Sequence, residues 1–174
     1  MLLALVESIV RLNRKVEIAI AGRYMDSAEG REWARRISEV ASASGLVSMH
    51  GSLSDADLGL LKESADGFLL LRADSVAERL AFPTRTVEFL KTGRPLWISD
   101  VGDVRNYLQN GKSVFLLSAA PRHAISELGR TLSDVEACQH VGIAGYLIGR
   151  QHFDRAVHVR SLLDWENMSD AKLS

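Results

Sequence analysis

"GFLLLR", residues 67–72, is the stretch on which the fold turns. Four apolar residues stand in a row with no polar residue among them. A strand with one face in water alternates apolar and polar positions. An uninterrupted run of this length predicts a strand buried on both faces, as in a parallel sheet covered by helices.

Working outward, helical and strand patterns alternate along the chain. Leu2, Leu5, Val6, Ile9 and Leu12 fall on one stripe, which predicts a helix over 2–13. "KVEIAIAG" at 15–22 reads as a strand ending in glycine. Asp26 and Glu29 have capping-box spacing, and Trp33, Ile37, Val40 and Ala41 form the stripe of the helix they open. "LVSMHG" at 46–51 is a second strand, and Ser54 with Asp57 caps a helix with Leu58, Leu61 and Ala65 inward. Beyond residue 72, a helix over about 84–92 stops at Gly93, and a strand covers 95–99. A helix in "DVRNYLQNG" (103–111) precedes a fifth strand in "SVFLLS" (113–118). Helices follow over about 121–132, 134–149 with Ser133 and Glu136 as a capping box, and 152–165. The expected fold is α/β: a doubly wound, Rossmann-like parallel sheet of about five strands flanked by helices, with a helical C-terminal third. One domain is expected over 1–166, with a polar tail over 167–174.

Composition narrows the function. The chain has 174 residues, 47% apolar and 25% charged, enough apolar material for a core without staples. A net charge of −1 argues against general binding to nucleic acid, so any anion site must be local. The single cysteine, Cys138, lies in a helical pattern and reads as packing. It offers no disulfide framework and fits a cytoplasmic setting. "MLLALVESIV" lacks a basic leader region and is interrupted by Glu7. His123, His140, His152 and His158 fall in helical patterns without ligand spacing, so no metal is expected. "GRYMDSAEG" (22–30) lacks the glycine spacing of a nicotinamide-cofactor fingerprint, and "GRQHFDRAVHVR" (149–160) reads as a solvated helix face.

In a doubly wound sheet, ligands bind outside the carboxyl ends of the strands. Those ends are Gly22-Arg23, His50-Gly51, Arg72-Ala73-Asp74, Ser99-Asp100 and Ser118. Small and polar residues recur there. They read equally as a ligand edge or as ordinary polar loops.

"FPTRTVEFLKTGRPLWISD", residues 82–100, holds the densest chemistry. Pro83 suits a first helical turn, and the free N–H groups after it, with the helix dipole, attract an anion. Thr84 and Thr86 add hydroxyls, and Arg85 adds a fork of donors suited to phosphate. Glu88 lies four residues after Thr84 and three after Arg85, on the same face, where a carboxylate accepts from a ribose diol. Phosphate at the tip and sugar hydroxyls one turn later describe a nucleotide diphosphate. The plainer alternative is an exposed Arg85–Glu88 ion pair beside a threonine cap.

Taken in order, "VEIAIAG", "SMHGSLSDADLGLLKESADGFLLLRADS" and "PTRTVEFLKTGRPLWISDVGDVRNYLQNGKSVFLL" resemble retaining family-4 (group 1) glycosyltransferases. The likeness is to the C-terminal, donor-binding domain of the GT-B fold, over about residues 1–165. "DGFLLL" (66–71) resembles the family's D-x-F-L-L strand, and "PTRTVEFLKTGRP" (83–95) its P-x-K-x-x-E-Y-L-A-x-G-x-P segment, with Arg85 for the lysine. The resemblance implies that Glu88 holds the donor ribose, that 84–86 hold the diphosphate, and that Gly22 closes a strand at the ligand edge. It implies that His50 and Gly51 help build the nucleobase pocket and that 75–78 lie near the sugar. Many members carry a second glutamate eight residues before the first. Leu80 stands there, and Glu78 takes its place only if the loop is longer. The family's Arg…Lys-Gly segment, first strand and acceptor domain have no counterpart here, so the sequence reads as a bacterial-type fragment.

The resemblance implies a nucleotide-sugar partner as substrate and a sugar transfer to an unknown acceptor, with no cofactor or metal. An acceptor, and any peripheral membrane contact, are left to an amino-terminal domain. Two alternatives share the architecture: a non-catalytic nucleotide-binding or interaction module, and a nucleotide-sugar epimerase.

Overall fold

The computed structural model of the protein describes residues 2–12, 16–23, 27–81, 83–157 and 159. It divides into two compact units, Met1–Asp66 with Leu117–Asp134, and Gly67–Leu116 with Val135–Ser174.

The first unit opens with α1 (Leu2–Leu12), followed by strand β1 (Ile18–Ala21), α2 (Ala28–Ser44), β2 (Val47–Gly51) and α3 (Asp55–Ser64). The α1 stripe buries Leu5, Val6 and Ile9, as its spacing predicts. β1 and β2 pair in parallel, Ile18 opposite Val47, with an irregularity after Ile20. Val6, Ile37 and Val47 are the buried heart of this unit, with Trp33, Val40 and Met49 packed around them. Each aliphatic side chain buried this way contributes about 1.5–3 kcal/mol. α7 (Pro121–Leu132) adds the buried Ala124 and Leu128.

The start of α2 differs from the expectation. Ser27 is the N-cap, and its Oγ accepts the Gly30 N–H at 2.9 Å. Asp26 lies outside the described residues. Ser54 caps α3 as expected, its Oγ accepting from the Asp57 N–H.

The second unit contains β3 (Phe68–Leu70), α4 (Val76–Arg79), α5 (Thr84–Leu90), β4 (Leu96–Ser99), α6 (Val104–Tyr107), β5 (Phe115–Leu117) and α8 (Val135–Phe153). The strand order is β3-β4-β5, with β3 and β4 parallel and Phe68 opposite Leu96. Every residue of β4 is buried. In β3, Phe68 is buried but Leu69 and Leu70 are half-buried, and among the described residues β3 lies at the edge of its sheet. The stretch that signalled a doubly covered strand therefore marks the neighbour of the most buried strand. The five expected strands are present, and among the described residues they pair as a two-stranded and a three-stranded sheet. The chain is thus α/β, with parallel pairing, flanking helices and a helical C-terminal region.

Two helices differ from their sequence signals. α6 is a single turn, not the helix expected across 103–111. Leu108 turns extended, and side chains then take over the backbone: Ser113 Oγ accepts from Gln109 N, and Asn110 Oδ1 from Leu116 N. Local side-chain bonds of this kind outcompete helix continuation. Ser133 ends α7 instead of opening α8, which runs four residues past the expected stop at 149. Residues 155–157 are helical, and the remainder of the expected 152–165 helix, with the tail, lies outside the described residues apart from Val159.

α8 lies close to its own unit through glycine. A Cβ on Gly145 would stand 2.6 Å from Ser113 O and 2.9 Å from Leu90 Cδ2. We expect Gly145→Ala to lower the unfolding free energy by about 1–3 kcal/mol, read from urea denaturation. Gly59 in α3 meets nothing within 4 Å, and Gly59→Ala should raise stability by about 0.5–1 kcal/mol through helix propensity.

Candidate functional site

α5 is short because of its ends. Pro83 stands at the N-cap with φ −74° and ψ 102°, and it offers no side-chain cap. At the other end, Thr92 N–H donates to Phe89 O and Gly93 N–H to Leu90 O, tightening the last turn. Gly93 then adopts φ 71°, which glycine reaches without a Cβ clash.

One face of α5 is fixed inward. Thr86 and Leu90 are buried, and the Phe89 ring stacks on Phe68 at 4.5 Å. The opposite face therefore carries Thr84, Arg85 and Glu88, all exposed. The structure thus brings three of the expected residues onto one solvent-facing surface. The first helical bond is Thr86 N–H to Pro83 O at 2.9 Å, so the N–H groups of Thr84 and Arg85 lie ahead of it. Thr86 is different. Its hydroxyl is fully buried and without a hydrogen-bond partner, so the donor role read from the sequence does not fit its geometry.

Glu78 is anchored from behind. Arg72, the last residue of "GFLLLR", is 8% exposed. Its Nε donates to Glu78 Oε2 at 2.5 Å, and its Nη2 donates to Glu78 O at 2.8 Å and Ala81 O at 2.9 Å. Its backbone N–H donates to Ser99 Oγ at 2.9 Å, which joins the ends of β3 and β4. A charge this buried persists only when paired and hydrogen-bonded. Gly102, at φ 73°, lets the same loop approach: a Cβ there would meet Glu78 O at 2.9 Å. The sequence showed Arg72 only as a polar strand end. The available signal was a lone arginine closing an apolar strand.

The other polar strand ends of this unit are also engaged. Asp74 pairs with Arg79, and Asp100 with Arg105. The hydrogen bonds that Arg79 donates hold the Asp74 carboxyl below its ordinary value, and those that Arg105 donates to Asp100 raise the Arg105 guanidinium.

In the first unit, Gly22, His50 and Gly51 meet at the ends of β1 and β2. Gly22 N–H donates to Gly51 O at 2.8 Å. Gly22 and Gly51 have φ 149° and 63°, open to glycine. His50 is exposed, with Nε2 3.0 Å from Ser48 Oγ. Also in this unit, Ser118 N–H is held by Glu127 at 2.8 Å. Among the described residues, no group of three or more His, Cys, Asp or Glu is placed to hold a metal ion. No helix among them is long and apolar enough to cross a membrane.

No family model and no curated protein matches the chain. Solved structures do. HepE of Anabaena in complex with UDP aligns with a TM-score of 0.75 at 17% identity, over 95% of this chain and 44% of that one. Sucrose-phosphate synthase of Thermosynechococcus elongatus aligns at 0.67 and 17%, over 95% and 42%. The C-terminal domain of a group 1 family glycosyl transferase, LpcC of Francisella tularensis, aligns at 0.68 and 10%, over 88% and 80%. HepE has also been solved with UDP-glucose. The chain thus shares its fold with glycosyltransferases, and it spans less than half the length of HepE and the synthase.

Asp74 gives a pH test of the loop after β3. Its folded value is depressed below the ordinary 3.8, so the stability it contributes is present above 3.8 and lost as pH falls through the lower folded value. A carboxyl-carbon NMR titration should place its midpoint below 3.8, and Arg79→Met should return it to the ordinary value.

Proposed function

We propose that the chain is the donor-binding part of a glycosyltransferase and holds a nucleoside-diphosphate sugar against α5. The observation that carries this is the exposed Thr84–Arg85–Glu88 face beside the leading N–H groups of that helix. The fold shared with glycosyltransferases, and with HepE, which has been solved with UDP and with UDP-glucose, supports it.

The chemistry follows from the residue types. In a glycosyl transfer the nucleoside diphosphate leaves with the electrons of the bond to the sugar, and negative charge grows on its terminal phosphate. The Arg85 guanidinium and the N–H groups of Thr84 and Arg85 are donors for that charge, and the backbone N–H groups, oriented by the helix, stabilise it with little reorganisation. Thr84 adds a hydroxyl. Glu88, one turn on, accepts from the two ribose hydroxyls and so orients the nucleoside. This division needs no metal ion. Transfer with retention at the sugar carbon is the mode that the sequence resemblance favours.

His50 and Gly51 keep the nucleobase role as a separate proposal, with Gly22 beside them at the strand end. His50 offers an edge donor or acceptor, and the two glycines leave room for close backbone approach. The acceptor is assigned to the part of such enzymes that this chain does not span. The cytoplasm is the compartment in which this donor chemistry is proposed to operate.

Calorimetric titration with UDP and GDP tests the assignment. One of the two nucleotides should bind, and Glu88→Ala should weaken it about tenfold, the loss of hydrogen bonds to a charged group. Arg85→Met should weaken UDP or GDP more than uridine or guanosine. An unchanged affinity in Glu88→Ala would remove that residue from the site.

A further inference from the structure

Among its described residues, the 73–81 stretch between β3 and α5 buries no apolar side chain. α4 buries no residue, Val76 is 73% exposed, and Leu80 is 81% exposed. What holds the loop is polar. The Ser75 hydroxyl accepts the Glu78 N–H at 3.3 Å, an exposed Asp74–Arg79 pair closes its outer side, and its inner carbonyls turn toward one guanidinium. That guanidinium belongs to Arg72, whose side chain is 7% exposed against 41% for Glu78. Ser99, fully buried on the central strand, holds the Arg72 backbone, so the anchor is tied to the buried strand β4. Arg72 also reaches Val101 O, at 3.4 Å, on the segment leading to Gly102. A guanidinium offers its donors in one fixed plane. Here that plane takes up a carboxylate oxygen and two carbonyls of the loop at once.

We infer that Arg72 is a positioning residue that uses Glu78 as a counter-ion to set the shape of the 73–81 loop. Glu78 thereby serves the site through Arg72 and not as a direct ligand of the nucleotide sugar. The loop, held in that shape, is what distinguishes a nucleotide sugar from the bare nucleotide. This last clause rests on the donor-binding reading above. The fixing of the loop does not. Two features favour the counter-ion role. Glu78 contributes both its carboxylate and its carbonyl to the same guanidinium. Withdrawing the carboxylate toward a ligand would leave a buried charge short of its anionic partner, which burial penalises strongly.

The test uses the whole chain and two independent readouts. Hydrogen exchange without ligand reports the loop. In Arg72→Met, amides of 73–81 should exchange about tenfold faster or more, while those of β4 hold near wild type. Glu78→Ala should show the same pattern, and it keeps the inference testable if Arg72→Met does not fold. Glu78→Gln still offers an oxygen to Arg72 Nε but no charge, and its exchange should fall between wild type and Glu78→Ala. Titration with UDP-glucose and UDP reports the site. Arg72→Met and Glu78→Ala should each cost UDP-glucose about tenfold in affinity and UDP no more than about threefold, with Glu78→Gln again between them and wild type.

Unchanged loop exchange in both Arg72→Met and Glu78→Ala overturns the inference whatever the ligands do. A Glu78→Gln variant with normal exchange but no preference for UDP-glucose over UDP overturns it too, by making Glu78 a direct ligand. If the wild-type chain binds neither UDP nor UDP-glucose, the donor reading and the ligand half of this inference fail together, and exchange alone decides the lock.

Discussion

The burial of one guanidinium constrains much of the second unit. Arg72 leaves an apolar strand and enters a place where its charge meets little water, so everything near it must supply oxygen. Glu78 supplies a carboxylate, Glu78 and Ala81 supply carbonyls, and Ser99 holds the backbone from the neighbouring strand. Gly102 is glycine because the carbonyls of the same loop lie where a Cβ would be. Without the guanidinium, the polar side-chain contacts left to the loop among the described residues are exposed.

The neighbouring helix obeys a second constraint. α5 is pinned by Leu90, by the buried Thr86 and by the Phe89–Phe68 stack, and α8 closes on Leu90 through Gly145 and Gly149. Because its inner face is committed, the outer face of its first turns has one composition available: Thr84, Arg85, Glu88. A seven-residue helix with a proline cap and no acidic residue in its first turn leaves its leading N–H groups to the surroundings. The anion recognition proposed for this turn rests on what the helix ends lack as much as on Arg85.

Much of this was legible in the sequence, for physical reasons. Continuous apolar runs, glycine stops and hydroxyl caps are local signals, and they located all five strands and most helix starts. The failures were also local in kind. The α6 signal was cut short because Ser113 and Asn110 bond to the backbone across a turn, a competition that periodicity does not register. The cap of α2 fell to Ser27, next to the residue whose spacing matched a capping box. At the candidate site, Glu88 and Arg85 could be placed on one face by helical spacing alone. The burial of Thr86 and the link from Arg72 to Glu78 depend on tertiary packing, and one sequence carries no record of which polar strand ends turn inward. The resemblance to glycosyltransferase donor domains raised the right question about Glu78, and the geometry gives the residue an anchor that spacing could not show.

The claim at the centre of this account is that α5 presents a nucleoside-diphosphate surface. The most direct measurement is an amide chemical-shift map of the isotopically labelled chain during titration with UDP, repeated with inorganic pyrophosphate. The account predicts saturable shifts at Thr84, Arg85 and Glu88 with both. Saturable shifts that leave 84–88 unmoved would contradict it.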